Sequence, residues 1–257
     1  MNIVTEINAW QAIRKELKNK SIGFVPTMGH LHAGHLSLCE RSMQENKITV
    51  ASIFINPTQF NQANDFVHYP RTFERDAELL QEAGVDYLFM PKSPAIYPDE
   101  YAVQITEVED SHVLEGEHRP GHFTGMLTVV LKLFNLVQPT RAYFGEKDYQ
   151  QLLLIKKMAE ALFLPIEIVG CETVRAEDGL ALSSRNSRFT LEQRQKAPQF
   201  AFSLQSSEDA AVVSQRLQAL GFKVDYIAER WGRRLGAVWL DDIRLIDNIA
   251  LDTKAGD

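Results

Sequence analysis

Several things are scarce in this chain, and each scarcity narrows what it can be. It has 2 cysteines in 257 residues, Cys39 and Cys171, each in an apolar-rich segment and without CxxC spacing. A disulfide framework is therefore set aside, and both read as buried thiols of a reducing compartment. Basic excess is absent: the formal charge is -7 and the pI is near 5.6. Such a field disfavours nucleic acid and leaves room only for a local basic pocket. The opening MNIVTEINAWQAIRKELKNK carries no charged-then-apolar leader, and no apolar run approaches bilayer length. Repeats and low-complexity segments are lacking too. The expectation is a soluble cytoplasmic protein whose 45% hydrophobic content builds one large domain or a domain with a small appendage.

What is present is alternation. Ile7, Trp10, Ile13 and Leu17 recur at helical spacing over 6–19. Short apolar runs follow at 21–26, 48–55, 86–90, 141–144 and 166–170, separated by helix-like segments at 33–46, 71–83, 122–137 and 149–162. Strands apolar throughout need cover on both faces, which crossover helices supply. The fold class expected is α/β, a Rossmann-like doubly wound parallel sheet. Domain 1–178 would carry it, and 179–257 would form a small α+β domain. There a helical stretch surrounds Pro198, a helix runs over 208–220, and strands lie near 223–227 and 236–240. Ligands of such sheets bind beyond the carboxyl ends of the strands. Three polar clusters lie there: Pro26-Thr27-Met28-Gly29-His30-Leu31-His32-Ala33-Gly34-His35, the segment starting Asn56-Pro57-Thr58-Gln59-Phe60, and Gly145-Glu146-Lys147-Asp148.

The first cluster admits three readings. A metal site is poorly supported, because no Glu completes HExxH and Cys39 is the only nearby thiol. A turn with water-facing histidines is the default for any one His, but leaves the placement of His32 and His35 around Gly34 unexplained. A phosphate site explains more. A strand delivers the chain to a glycine-containing turn, and a helix starting near Ala33 aims unpaired N–H groups and its positive dipole end at the ligand. Gly34 would let a phosphate approach the backbone, with His32 and His35 adding donors.

This HxGH pattern is similar to that of the nucleotidylyltransferase superfamily. The rest of the chain sharpens the likeness. Phe54-Ile55-Asn56-Pro57-Thr58-Gln59-Phe60, Tyr69-Pro70-Arg71-Thr72, Arg119-Pro120-Gly121-His122-Phe123, Phe144-Gly145-Glu146-Lys147-Asp148-Tyr149-Gln150-Gln151 and Leu182-Ser183-Ser184-Arg185-Asn186 resemble the pantothenate synthetase family in order and content. The resemblance spans about 20–190 and returns at Val224-Asp225-Tyr226 and Arg244-Leu245-Ile246-Asp247-Asn248.

The resemblance implies a ligase joining pantoate to β-alanine with ATP as co-substrate. The pantoate carboxylate attacks the α-phosphorus and expels pyrophosphate; the β-alanine amine then attacks the pantoyl adenylate and releases AMP. It implies that the run Met28 to His35 binds ATP, that His32 and His35 contact phosphates, and that His35 is the family's proposed general acid toward pyrophosphate; hydrogen-bond donation, which needs no net proton transfer, is the preferred role. Lys147 would neutralise the α-phosphate. Gly145, Glu146 and Asp148 would lie along the nucleotide, with Gly145 and Asp148 at the ribose. Val174 would offer backbone to adenine, and Leu182, Ser183, Ser184 and Arg185 would form a second phosphate clamp. Gln59 and Gln151 would hold pantoate oxygens. Pro26, Met28 and Phe60 would pack its methyl groups, and Asn56 would add a polar contact. Mg²⁺ would ride on phosphate oxygens and water. Asp76 is the candidate protein ligand, although on a helix of alternating charge it otherwise reads as a solvated acid. A homodimer is implied, with no nucleic-acid or membrane partner.

Two departures stand out. Leu182 replaces the usual Met, a swap of similar volume. The region after Tyr226 is shorter than the family norm, which puts its closing as a lid in doubt. The alternatives kept open are an adenylyltransferase that stops at nucleotide transfer and a non-catalytic nucleotide-binding protein. The presence of His35, Lys147 and Arg185 argues against the latter.

Overall fold

The computed structural model of the chain describes residues 1–61, 66–67 and 69–251. They divide into two compact units: Met1–Glu146 with Gln150–Glu172, and Lys147–Tyr149 with the residues from Thr173 onward. The division thus falls at Glu172/Thr173 rather than at 178/179, and residues 252–257 of the expected appendage lie outside the described residues.

The first unit is built on six strands: β1 (Asn2–Val4), β2 (Ile22–Thr27), β3 (Ile48–Ile53), β4 (Tyr87–Phe89), β5 (Arg141–Gly145) and β6 (Glu167–Cys171). Their order is β1-β4-β3-β2-β5-β6, with every pairing parallel. The chain starts outward from β2 in one direction and returns to place β5 on its other side. The β2/β5 boundary is therefore the point where strand order reverses, the place at which open α/β sheets bind ligands.

Helices α1 (Ile7–Glu16), α2 (Ala33–Glu45), α3 (Phe73–Glu82), α4 (His122–Val137) and α5 (Tyr149–Ala161) accompany this sheet. Adjacent residues of β2 show why cover is needed on both faces. Val25 joins a buried cluster with Leu38, Cys39, Leu80, Leu88 and Tyr143. Its neighbour Phe24 meets Phe134 of α4 edge-on, with centroids 6.4 Å apart. Trp10 of α1, wholly buried, lies against Tyr87 and Phe89 and donates from Nε1 to the Leu136 carbonyl at 2.9 Å. Burial pushes the Cys39 thiol up to about 12 and raises Cys171 as well, so neither serves as a thiolate.

Two strands escaped the sequence reading. β1 is three residues long with only Val4 buried, too short to show a period. The other belongs to the second unit, an antiparallel sheet of β7 (Lys223–Arg230), β8 (Arg233–Leu240) and the unanticipated β9 (Ile243–Ala250). Trp231 and Gly232, both at positive φ (54° and 71°), make the β7–β8 turn, as a two-residue hairpin requires. The helical stretch around Pro198 is two helices, α6 (Leu191–Lys196) and α7 (Pro198–Leu204), because proline has no N–H to continue the first and suits the start of the second. With α8 (Ala210–Ala219) they supply Ala197, Phe200, Leu204, Val213 and Leu217 to a core shared with Val238, Leu240, Ile243 and Leu245.

One contact in the first unit leaves no tolerance. A Cβ on Gly125 of α4 would lie 2.4 Å from the carbonyl oxygen of Thr58. Backbone faces backbone, so Gly125→Ala must push the 57–59 turn away. The expected cost is about 1–3 kcal/mol, the range of overpacked sites, read as a lowered midpoint in thermal unfolding.

Candidate active site

The segment after β2 is shaped by local hydrogen bonds. Thr27 Oγ1 donates to the Ser52 carbonyl at 2.7 Å and accepts from the Gly29 N–H at 3.1 Å. Gly29 and His30 then take positive φ, 83° and 51°. The reversal turns two successive N–H groups toward one carboxylate: His30 donates to Asp76 Oδ2 and Leu31 to Asp76 Oδ1, each at 2.8 Å. Thr72 Oγ1 donates to Oδ2 as well, at 3.2 Å. A Cβ on Gly29 would lie 3.0 Å from Oδ2, so that position demands glycine on two counts.

Asp76 is therefore not the solvated acid its helix pattern suggests. It is 1% exposed. Nor does its geometry recommend it as a cation ligand, since both oxygens already anchor backbone. Among the described residues no three His, Cys, Asp or Glu gather as a metal-holding group.

His32 and His35 cap α2 reciprocally. His32 Nδ1 accepts from the Gly34 N–H at 3.1 Å, and His35 Nδ1 accepts from the His32 N–H at 3.4 Å. The Gly34 N–H expected to await a phosphate is thus already taken by an imidazole. The same bonds fix the tautomer: a ring whose Nδ1 accepts carries its proton on Nε2. Both rings, 4.1 Å apart between centroids, keep Nε2–H as their donor.

Gln59 closes the short helical turn Pro57–Gln59 and is buried. Its Oε1 accepts from Asn56 Nδ2 at 3.1 Å. Asn56 is wholly buried, donates also to the Gly125 carbonyl at 3.0 Å, and accepts from Tyr97 Oη at 2.6 Å and Thr58 Oγ1 at 3.0 Å. Its amide is used up inside the protein. Asn56 holds Gln59 and does not offer the ligand contact expected of it. Phe60 packs against Phe66 and Tyr69, while Pro26 and Met28 are half-buried at the end of β2.

Neighbouring glutamines at the start of α5 have opposite fates. Gln150 is 2% exposed; its Oε1 accepts from the Glu115 N–H, and its Nε2 donates to the carbonyls of Asp110 and Val113. Gln151 is half-buried, and its amide has no hydrogen bond with any described residue. Gly145, at the end of β5, has open space where a side chain would stand, and Glu146 lies beside Gly170.

The remaining site candidates belong to the second unit. Lys147 is mostly buried, 3.9 Å from Asp148 Oδ1, and its carbonyl accepts from Asn248 Nδ2 at 3.0 Å. Arg175 grips Asp247 with two bonds of 2.6 and 2.9 Å. The Leu182 N–H donates to the Val174 carbonyl at 3.0 Å, so that carbonyl is already engaged. Ser183 Oγ accepts from the Arg185 N–H at 3.3 Å and opens the turn Ser184–Arg188. Sequence reasoning gave Asp76, Gln150 and Asn248 no such task. Gln150 and Asn248 had a signal, their places in the Phe144–Gln151 and Arg244–Asn248 matches.

Replacing Asp76 by Asn turns one acceptor into a donor facing a backbone N–H. Asp76→Asn should cost about 1–3 kcal/mol, the penalty of an unsatisfied buried group. Thermal unfolding would show the loss, and hydrogen exchange at the His30 or Leu31 amide would quicken.

Comparison with known proteins places the sequence and the fold together. The sequence pattern of the pantoate-beta-alanine ligase family matches residues 2–250. Pantothenate synthetase of Legionella pneumophila (strain Lens) is 54% identical over 252 residues, covering 98% of this chain and 100% of that protein. The Coxiella burnetii (strain Dugway 5J108-111) pantothenate synthetase is 54% identical over 247 residues, 96% of each chain. Against the Legionella protein the C-terminal region is thus not shortened. The crystal structure of pantoate-beta-alanine ligase from Francisella tularensis, complexed with beta-gamma ATP and beta-alanine, superposes with a TM-score of 0.93 at 41% identity over 97% of both chains. Pantothenate synthetase from Thermus thermophilus superposes at 0.91 with 43% identity, over 97% of this chain and 99% of that one. On the sequence match and the shared fold alike, the chain belongs to the pantoate-beta-alanine ligase family, and it is a ligase.

Proposed function

We propose that the chain joins pantoate to β-alanine through a pantoyl adenylate, consuming ATP and releasing pyrophosphate and then AMP. The observation that carries the reading is the pair of capped histidines after β2. Their Nε2–H groups are fixed donors at the reversal of strand order, where an anionic ligand is expected. A carboxylate and an amine do not condense in water, so the carboxylate oxygen must first become part of a leaving group. Its attack on the α-phosphorus breaks the bond to the β-phosphate bridge oxygen. The charge growing on pyrophosphate is met by His32 and His35, with Lys147, Ser183, Ser184 and Arg185 assigned to the other phosphate oxygens. Met28 to Leu31 and Ala33 to Gly34 supply the nucleotide-binding turn; Gly145, Glu146, Asp148, Val174 and Leu182 are assigned to the nucleoside. The amine then attacks the acyl carbon, and AMP departs.

The capping geometry favours one role for His35. With Nδ1 accepting, the ring is neutral, and full transfer of the Nε2 proton would leave an imidazolate. Hydrogen-bond donation to the leaving oxygen is therefore the better assignment than general-acid transfer.

Gln59 and Gln151 take the pantoate oxygens. Gln59 is braced through Oε1, so its Nε2–H is the group to offer; the Gln151 amide can donate and accept. Pro26, Met28 and Phe60 pack the methyl groups. Mg²⁺ would accompany ATP, held mainly by phosphate oxygens and water. A cytoplasmic homodimer belongs to the same reading; no helix among the described residues is long and apolar enough to cross a membrane.

The test is AMP release from ATP and pantoate with and without β-alanine. We expect β-alanine-dependent AMP, and a fall in turnover of about 10²-fold or more in His35→Ala and in Lys147→Ala, the size of a lost charge-stabilising donor. Pyrophosphate release without β-alanine-dependent AMP would instead identify a plain adenylyltransferase.

A further inference from the structure

We infer that Glu115, Arg119, His122 and Gln150 form a polar spacer that sets the separation of Gln59 and Gln151; assigning it to pantoate binding rests on the reading above. The contacts run without a gap. His122 Nδ1 lies 2.7 Å from the Gln59 carbonyl oxygen, and its Nε2 lies 3.1 Å from Arg119 Nη1. Arg119 ion-pairs with Glu115 Oε2 at 3.7 Å. The Glu115 N–H donates to Gln150 Oε1 at 3.1 Å, and Gln151 is the next residue along α5. Gln150 Nε2 pins the carbonyls of Asp110 and Val113 at 2.7 and 2.8 Å.

Each link has one allowed polarity. The Gln59 carbonyl only accepts, so His122 Nδ1 carries the proton. The Arg119 guanidinium only donates, so His122 Nε2 carries the lone pair. His122 is held neutral in a single tautomer. The Gln150 amide cannot flip without setting its NH₂ against an N–H and its oxygen against two carbonyls. His122, Glu115 and Gln150 are all buried, where polar chains with fixed polarity resist deformation. Backbone shape supports the same purpose: a Cβ on Gly116 would fall 1.7 Å from the Ser111 carbonyl oxygen, and Leu114 holds φ at 51°. Together with Asn56, which braces the Gln59 side chain, His122 fixes that residue from two sides. His122 is a positioning residue in this account, not a catalytic one.

The test uses the full chain and steady-state kinetics. In His122→Ala we expect the KM for pantoate to rise about tenfold, the worth of one buried hydrogen bond, with the KM for ATP unchanged. His122→Asn places an amide N–H where Nδ1–H stood and should recover most of the loss; His122→Gln should not. If His122→Ala does not fold, the Asn and Gln pair decides. In a double-mutant cycle with Gln150→Ala the effects should be non-additive. Equal rises in both KM values, strict additivity, or no rescue by Asn in a protein of wild-type thermal midpoint would overturn the spacer. NMR of the glutamine side-chain amides gives a readout that needs no turnover. A shift of the Gln151 resonance in His122→Ala supports the spacer even if the wild type makes no AMP, an outcome that would sink only the functional reading. An unmoved Gln151 resonance sinks the spacer.

Discussion

The site of the first unit depends on a buried carboxylate that serves backbone. Asp76 receives the N–H groups of His30 and Leu31 and the hydroxyl of Thr72. A turn with two successive residues at positive φ is costly when one is not glycine; His30 is that residue. The carboxylate offsets the strain by satisfying two N–H groups that the reversal leaves without ladder partners. It also decides where α2 begins, because the next residue, His32, is the N-cap. Remove the anion and the two imidazoles lose the frame that sets their position.

The same division between bracing and binding groups recurs among the amides. Of the four amide side chains near the expected ligand, Asn56 and Gln150 commit every polar atom to the protein, Gln59 commits one, and Gln151 commits none to described residues. A polar group buried without partners is destabilising. Gln59 and Gln151 keep open capacity, and Gln59 is placed by Asn56, which keeps none. Asn56 therefore differs from Gln59 in kind, although they lie three positions apart and both look equally polar in the sequence.

That difference marks what was legible. The apolar runs of β2 and β3 reveal a doubly wound sheet because burial on both faces leaves no room for polar residues, and the helices between them show a clean 3.6-residue period. β9 breaks apolar/polar alternation at Leu245-Ile246 and at Asp247-Asn248, the latter pair buried, so its pattern hid it. Asp76 was misread because its partners are backbone groups 45 and 46 residues away, and backbone donors leave no trace in residue types. The histidines were legible as donors, but their reciprocal cap was not, since a ring nitrogen accepting from an amide is a rare use of the Ncap position usually held by Ser, Thr, Asp or Asn.

Lys147 extends the same logic to the second unit. It follows β5 directly, yet residues 147–149 group with the second unit while Glu146 and Gln150 on either side group with the first. Three contacts account for that. Asn248 Nδ2 holds the Lys147 carbonyl, Arg233 Nη1 donates to Asn248 Oδ1 at 2.6 Å, and the Arg233 guanidinium lies 4.3 Å above the Tyr149 ring. Asn248 is itself set by β9, beside the bidentate Arg175–Asp247 pair. The Lys147 backbone is therefore held by a strand a hundred residues downstream. A cation on a flexible stem has little directional value of its own, so what β9 fixes is the point from which the stem starts.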